Sequence, residues 1–251
     1  MLRRIAALSI GLLCLVGAAA QTPLRVAAAA DLEPVLPPIL QQFREATGIP
    51  VEATYQASAM LTTQIQNGAP FDLFLSADMG YPKRIVDAGL ADASSLTPYA
   101  KGTLVLWTRK DSQLPPSLDL LRNRALKRLS VANPDRAPYG RAAVAALTSL
   151  KLYDELKPRI VTAENISQTA QFVDSGNADA GLISLTSALT PRLASDGSYF
   201  VMPRDLYPPI EQGAVVLSRS TQHAAAQRLL AFLLSAPIQA QLAKSGLTPV
   251  R

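Results

Sequence analysis

Side chains that usually do chemistry are scarce in this chain: of 251 residues, one is histidine, His223, and one is cysteine, Cys14. One of each cannot build a His/Cys zinc site, a Cys-x-x-Cys redox pair or an iron–sulfur cluster. A Ser-His or Cys-His mechanism would have to use His223, and no Gly-x-Ser-x-Gly, Ser-x-x-Lys or His-Glu-x-x-His segment accompanies it. His223 stands between Gln222 and Ala224 at the start of a terminal helical segment and reads as a surface residue. A phosphate-cradling Gly-x-x-x-x-Gly-Lys loop is also missing. The chain offers instead four places where a strand-like run meets a helical one. They are Ala28-Ala29-Ala30-Asp31-Leu32, Gln56-Ala57-Ser58-Ala59-Met60, the stretch from Asn133 to Gly140, and Ala163-Glu164-Asn165-Ile166-Ser167-Gln168.

The chemistry such junctions support is anion binding. A helix start exposes unpaired N–H groups and the positive end of the dipole, so several aimed at one cleft hold an anion without a lysine or arginine. Small residues let the backbone come close, and a serine hydroxyl adds a neutral donor. Taken singly, Asp31 and Ser58 are also ordinary N-cap types. Asp72 and Asp78 bracket a buried strand and read as structural caps rather than an acid/base pair.

These junctions need a scaffold of alternating strands and helices. Strands are expected at 24–29, 51–55, 71–75, 103–108, 128–132, 160–162, 180–185, 199–202 and 214–218. Helices are expected at 32–46, 61–66, 83–88, 141–150, 167–175, 186–194, 222–234 and 238–244. Apolar runs buried on both faces between helices predict an α/β protein with largely parallel sheets, whose ligands sit beyond the carboxyl ends of the strands.

The first twenty residues read as a secretory signal peptide, with Arg3 and Arg4 before an apolar stretch and Ala18-Ala19-Ala20 at the cleavage site. Cys14, preceded by Leu13, is then an apolar residue of the leader rather than a lipid anchor. Removing the leader takes 24 Lys+Arg against 19 Asp+Glu to 22 against 19. No basic run interleaved with aromatics is present, which excludes nucleic-acid binding from the expectation.

The series Ala28-Ala29-Ala30-x-Leu32, Gln64-Ile65-x-Asn67-Gly68-Ala69-Pro70-x-Asp72-Leu73-Phe74-Leu75-Ser76-Ala77-Asp78, Asn133-Pro134-x-x-Ala137-Pro138-Tyr139-Gly140 and Glu164-Asn165-Ile166-Ser167-Gln168 resembles the periplasmic molybdate-binding proteins. These are the substrate-capture components of molybdate ABC importers, and the resemblance spans roughly 24–246. It implies a two-lobed Venus-flytrap fold of the type II periplasmic-binding-protein class, each lobe a mostly parallel sheet flanked by helices. Lobe 1 would comprise 21–100 plus 210–251 and lobe 2 101–209, with hinge strands near 101–106 and 212–216. It implies a monomer that binds molybdate, and tungstate by shared charge and shape, without a cofactor, and delivers it to a membrane permease. Selection against sulfate would come from cavity size.

Carried over by position, Ser58 would donate hydroxyl and N–H, and Tyr139 and Ile166 backbone N–H groups. Two positions depart from the family pattern. Asp31 stands where a serine is common, and Ser184 where many relatives have a tyrosine hydroxyl. A carboxylate about 4 Å from one ligand charge costs on the order of 4 kcal/mol at an effective dielectric near 20. Asp31 is therefore expected to turn away and cap its own helix at Glu33, since Pro34 has no N–H. A protonated Asp31, or a ligand other than molybdate, are the other two resolutions. Capture of another oxyanion or small acid is the nearest alternative function, followed by an exported hydrolase and a ligand-sensing module.

Overall fold

The structure, a computed structural model, describes residues 22–250. The expected signal peptide, with Cys14, lies outside the described residues. Along the chain β1 (Leu24–Ala29) and a 3-10 turn lead to α1 (Leu36–Thr47), then β2 (Val51–Gln56), α2 (Ser58–Gln66), β3 (Leu73–Ser76) and α3 (Gly80–Asp87). Next come β4 (Thr97–Gly102), β5 (Leu104–Arg109), β6 (Leu129–Ala132), α4 (Pro138–Ser149), α5 (Tyr153–Leu156), β7 (Ile160–Ala163), α6 (Ile166–Asp174) and β8 (Ala180–Ser184). The chain closes with α7 (Leu185–Ala188), α8 (Pro191–Asp196), β9 (Gly197–Val201), β10 (Ile210–Val216), α9 (His223–Leu233) and α10 (Ala236–Lys244).

Two five-stranded sheets result, ordered β2-β1-β3-β10-β4 and β7-β6-β8-β5-β9. The chain leaves the first sheet at Gly102, enters the second at Leu104, and returns between Val201 and Ile210. Each sheet is mixed rather than mostly parallel. β1 pairs in parallel with β2 and β3, and β6 with β7 and β8. β10 runs antiparallel to β3 and β4, and β5 to β8 and β9. The cause is topological: a helical crossover returns the chain in its original direction, whereas β5 and β10 arrive from the other sheet.

Helices cover both faces of each sheet, which explains why β3, β6 and β8 are buried throughout. In the first lobe, Leu24, Ile39, Phe43, Leu75 and Leu229 form one core, and Ala27, Leu61, Phe74 and Ile85 another. In the second lobe, Trp107 packs with Val173, Ile183 and Leu193 on one face. On the other, Leu106, Val131, Tyr139 and Leu147 form a core that also takes in Ala29, Ala30 and Ala77 from the first lobe. The lobes therefore share packed surface where β1, β3 and α4 meet.

Prolines break two expected helices and mask one strand. The helix expected at 32–46 breaks into a 3-10 turn at Ala30–Leu32 and α1, which carries Pro37 and Pro38 in its first turn. The helix expected at 186–194 splits before Pro191, where Thr190 accepts from Leu193 N at 3.4 Å and starts α8. Strand β4 holds Pro98 and escaped the hydrophobic pattern, yet its pairing with β10 completes the sheet next to the crossover.

Candidate functional site

A narrow, nearly closed cleft with a cavity volume of about 10 Å³ lies between the two sheets, lined by Ala29, Ala30, Asp31, Gln56, Ala57, Ser58, Ala77, Ala137, Pro138, Tyr139, Asn165 and Ile166. Four of the five expected ligand residues (Asp31, Ser58, Tyr139 and Ile166) meet here, from four separate strand ends and two lobes.

Ser58 and Ile166 are the first residues of α2 and α6, and Tyr139 is the second residue of α4. At these positions no carbonyl lies one turn back inside the helix, so the amides are free of the helix's own ladder. Neither α2 nor α4 has a side-chain cap, and both begin after an alanine, Ala57 or Ala137. In α6, Asn165 caps Gln168 N at 2.9 Å, two residues beyond the Ile166 amide. The Ser58 hydroxyl oxygen accepts from Ala77 N at 3.1 Å, which leaves its own proton to donate elsewhere. The donor set is dipoles and one hydroxyl, and its side chains are almost wholly buried.

Close approach of α4 to its strand depends on Gly140. A Cβ there would meet the carbonyl of Ala132, with Ala132 C at 2.8 Å and Asn133 C at 2.9 Å. Gly102, at the crossover, makes room for Tyr139, since a Cβ would lie 2.8 Å from Tyr139 Cζ. The tyrosine thus reaches from the second lobe to the crossover, and its side chain is fully buried.

Asp31 does not cap its own helix. Glu33 N donates to Ala30 O at 3.1 Å, so the amide expected to receive the cap is already used. The Asp31 carboxyl turns instead toward the crossover, where Oδ2 accepts from Tyr139 Oη at 3.1 Å and from Gln212 Nε2. Burial pushes its pKa from 3.8 up to about 6, opposed by the hydrogen bonds from Gln212 and Tyr139. The Tyr139 and Tyr99 hydroxyls titrate well above their usual range, first through burial and then through the nearby Asp31 charge.

Ser184 is placed differently from the other four. It is fully buried and caps α7, accepting from Ser187 N at 3.3 Å and lying 2.9 Å from Thr186 Oγ1. It does not line the cleft. Its neighbour Thr186 reaches across instead, donating to the Asp31 carbonyl at 2.8 Å. Sequence reasoning missed both Thr186 and Gln212. The signal for Gln212 was a polar residue followed by Gly213 inside the apolar strand β10, and the ladder shifts register between these two.

More contacts join the lobes around the cleft. Ser167 Oγ donates to Ala30 O at 2.9 Å, Ala59 N to Arg136 O at 3.1 Å, and Arg141 ion-pairs with Asp78 while lying 5.3 Å from the Tyr81 ring centroid. Asp78 also accepts from Tyr81 N at 3.0 Å, and Asp72 from Arg25 N at 2.7 Å, so both are structural. His223 lies outside this set, partly exposed and 3.8 Å from Asp92.

The profile of bacterial extracellular solute-binding proteins matches residues 24–248. This chain belongs to that family. Members similar to it include the molybdate-binding protein of Azotobacter vinelandii, 38% identical over 92% of this chain and 91% of the relative. The molybdate-binding protein of Rhodobacter capsulatus is also 38% identical, over 76% of this chain and 74% of its own. Among solved structures, a periplasmic molybdate-binding protein of A. vinelandii superposes with a TM-score of 0.84 at 30% identity, covering 91% of this chain and all of that one. This family member therefore has the two-lobed periplasmic-binding-protein fold, and its relatives are named as binding proteins rather than enzymes.

Proposed function

We propose that this protein captures molybdate in the interlobe cleft and delivers it to the membrane permease of an ABC importer. The observation that carries the reading is the convergence of the starts of α2, α4 and α6 on one buried cleft with no lysine, arginine or histidine in its lining. A tetrahedral dianion fits such a set, because dipoles and hydroxyls stabilise its charge without a counter-ion. Kinship with proteins named for molybdate supports the choice of oxyanion.

In this reading the oxyanion takes the Ser58 hydroxyl and amide from one lobe and the Tyr139 and Ile166 amides from the other. Binding both lobes at once favours the closed arrangement, and the closed surface is what the permease reads. Tungstate, with the same charge and shape, binds in the same way. The protein works as a monomer in the periplasm after loss of its leader, without a cofactor. Asp31 takes part beside the oxyanion, while Ser184 acts through Thr186 rather than by touching it.

Titration of the chain lacking its first 20 residues with molybdate, tungstate, sulfate and phosphate tests this. Molybdate and tungstate should raise the melting temperature by mass action, by about 2.7 kcal/mol of stability at a hundred times the Kd. Absence of any shift with either at millimolar concentration refutes the assignment.

A further inference from the structure

Asp31 is fully buried in the wall of an anion site, and its surroundings are short of donors. Oδ2 is held by Tyr139 and Gln212, but Oδ1 has no partner, and neither has Gln212 Oε1. Buried acceptors without donors are costly, and an oxyanion entering the cleft brings still more acceptor oxygens.

No cation relieves this. The groups around the carboxyl are the hydroxyls of Tyr139 on α4 and Tyr99 on β4, with the Gln212 amide from β10, and Tyr207 ahead of β10 stands near Tyr139. Thr186 on α7 and Ser167 on α6 donate to the carbonyls of Asp31 and Ala30. The cations at and before the start of α4, Arg141 and Arg136, pair with Asp78 and Glu164. Among the described residues no Lys, Arg or His forms an ion pair with Asp31.

We infer that Asp31 holds the oxyanion as a neutral carboxylic acid, donating through Oδ1, so that each molybdate is captured together with one proton from solvent. The inference rests on the molybdate reading and adds a condition to it. No covalent bond changes: the proton joins Asp31 on binding and leaves with the ligand on release. Tyr139 and Gln212 become positioning residues that fix Oδ2 and leave Oδ1 to the ligand. Burial already lifts the carboxyl to about 6 without a ligand, and a neighbouring dianion lifts it further. A site requiring a protonated acid also favours fully ionised oxyanions, because a ligand that brings its own proton duplicates the donor.

The test is molybdate affinity of the native chain and of Asp31→Asn from pH 5 to pH 8, with binding heats in buffers of different protonation enthalpy. With Asp31 at about 6 in the free protein, native affinity should fall about 100-fold across this range. Close to one proton should be taken up per molybdate at pH 8. Asp31→Asn, whose amide supplies a permanent donor, should show a flat profile, take up no proton and bind more tightly than the native chain at pH 8. Asp31→Ser, a smaller neutral donor, should likewise be flat and serves if the asparagine variant misfolds. Native binding that is flat from pH 5 to pH 8 without proton uptake overturns the inference alone. Pronounced pH dependence surviving in both variants also overturns it. Failure of the native chain to bind molybdate or tungstate at any pH overturns the molybdate reading and this inference with it.

Discussion

Replacing Asp31 by asparagine removes an ionisable group while keeping the shape of the side chain, and the unliganded protein should respond in a pH-dependent way. The folded protein holds the Asp31 proton more tightly than the unfolded chain, at about 6 against 3.8. The stabilisation from this raised value is fully present below 3.8 and is lost as pH rises through about 6. A shift of about 2 units at roughly 1.4 kcal/mol each makes ionised Asp31 cost about 3 kcal/mol at pH 7.5. Asparagine does not ionise, so its stability carries no such loss. The measurement is urea unfolding of both unliganded chains at pH 4 and pH 7.5. The stability of Asp31→Asn relative to native should increase by about 2–3 kcal/mol between the two pH values, whatever fixed offset the amide introduces. An equal difference at both pH values would mean that Asp31 ionises as readily folded as unfolded, and the argument from burial fails.

Gly140→Ala should push α4 off the carbonyl of Ala132, costing about 1–3 kcal/mol in urea unfolding and weakening molybdate binding at least about tenfold by calorimetry. Ser58→Ala leaves the buried Ala77 amide without its acceptor and removes a ligand donor, so stability should fall by about 1–3 kcal/mol and affinity by about 10-fold or more. Arg141→Gln removes the partly exposed pair with Asp78 across the cleft, where about 1 kcal/mol is at stake, and stopped-flow release should quicken no more than about tenfold. His223→Ala, at a partly exposed site beside Asp92, should leave molybdate affinity unchanged and shift stability by less than about 0.5 kcal/mol.

The strand ends were the legible part of the site. The strand-to-helix turns before Ser58, Tyr139 and Ile166 carry a local meaning, because a helix start must expose its amides wherever it lies. The fates of Asp31 and Ser184 were not legible. The local rule sent Asp31 to an N-cap at Glu33, but Ala30 O takes that amide, and donors 108 and 181 residues away in the chain claim the carboxyl. Ser184 has the right type for a ligand donor, yet its hydroxyl is consumed by Thr186 and Ser187 within its own turn.

The sequence by itself determined the α/β class, the absence of His/Cys metal chemistry and the helix starts available to an anion, since each follows from residue type and short-range periodicity. Tertiary structure alone decided the mixed direction of the sheets, because β5 and β10 cross from lobe to lobe. It alone decided the donors of Asp31, because Tyr139 and Gln212 come from distant segments that meet at the crossover. Burial depends on the whole packed surround, so the protonation of that acid is a property of the fold.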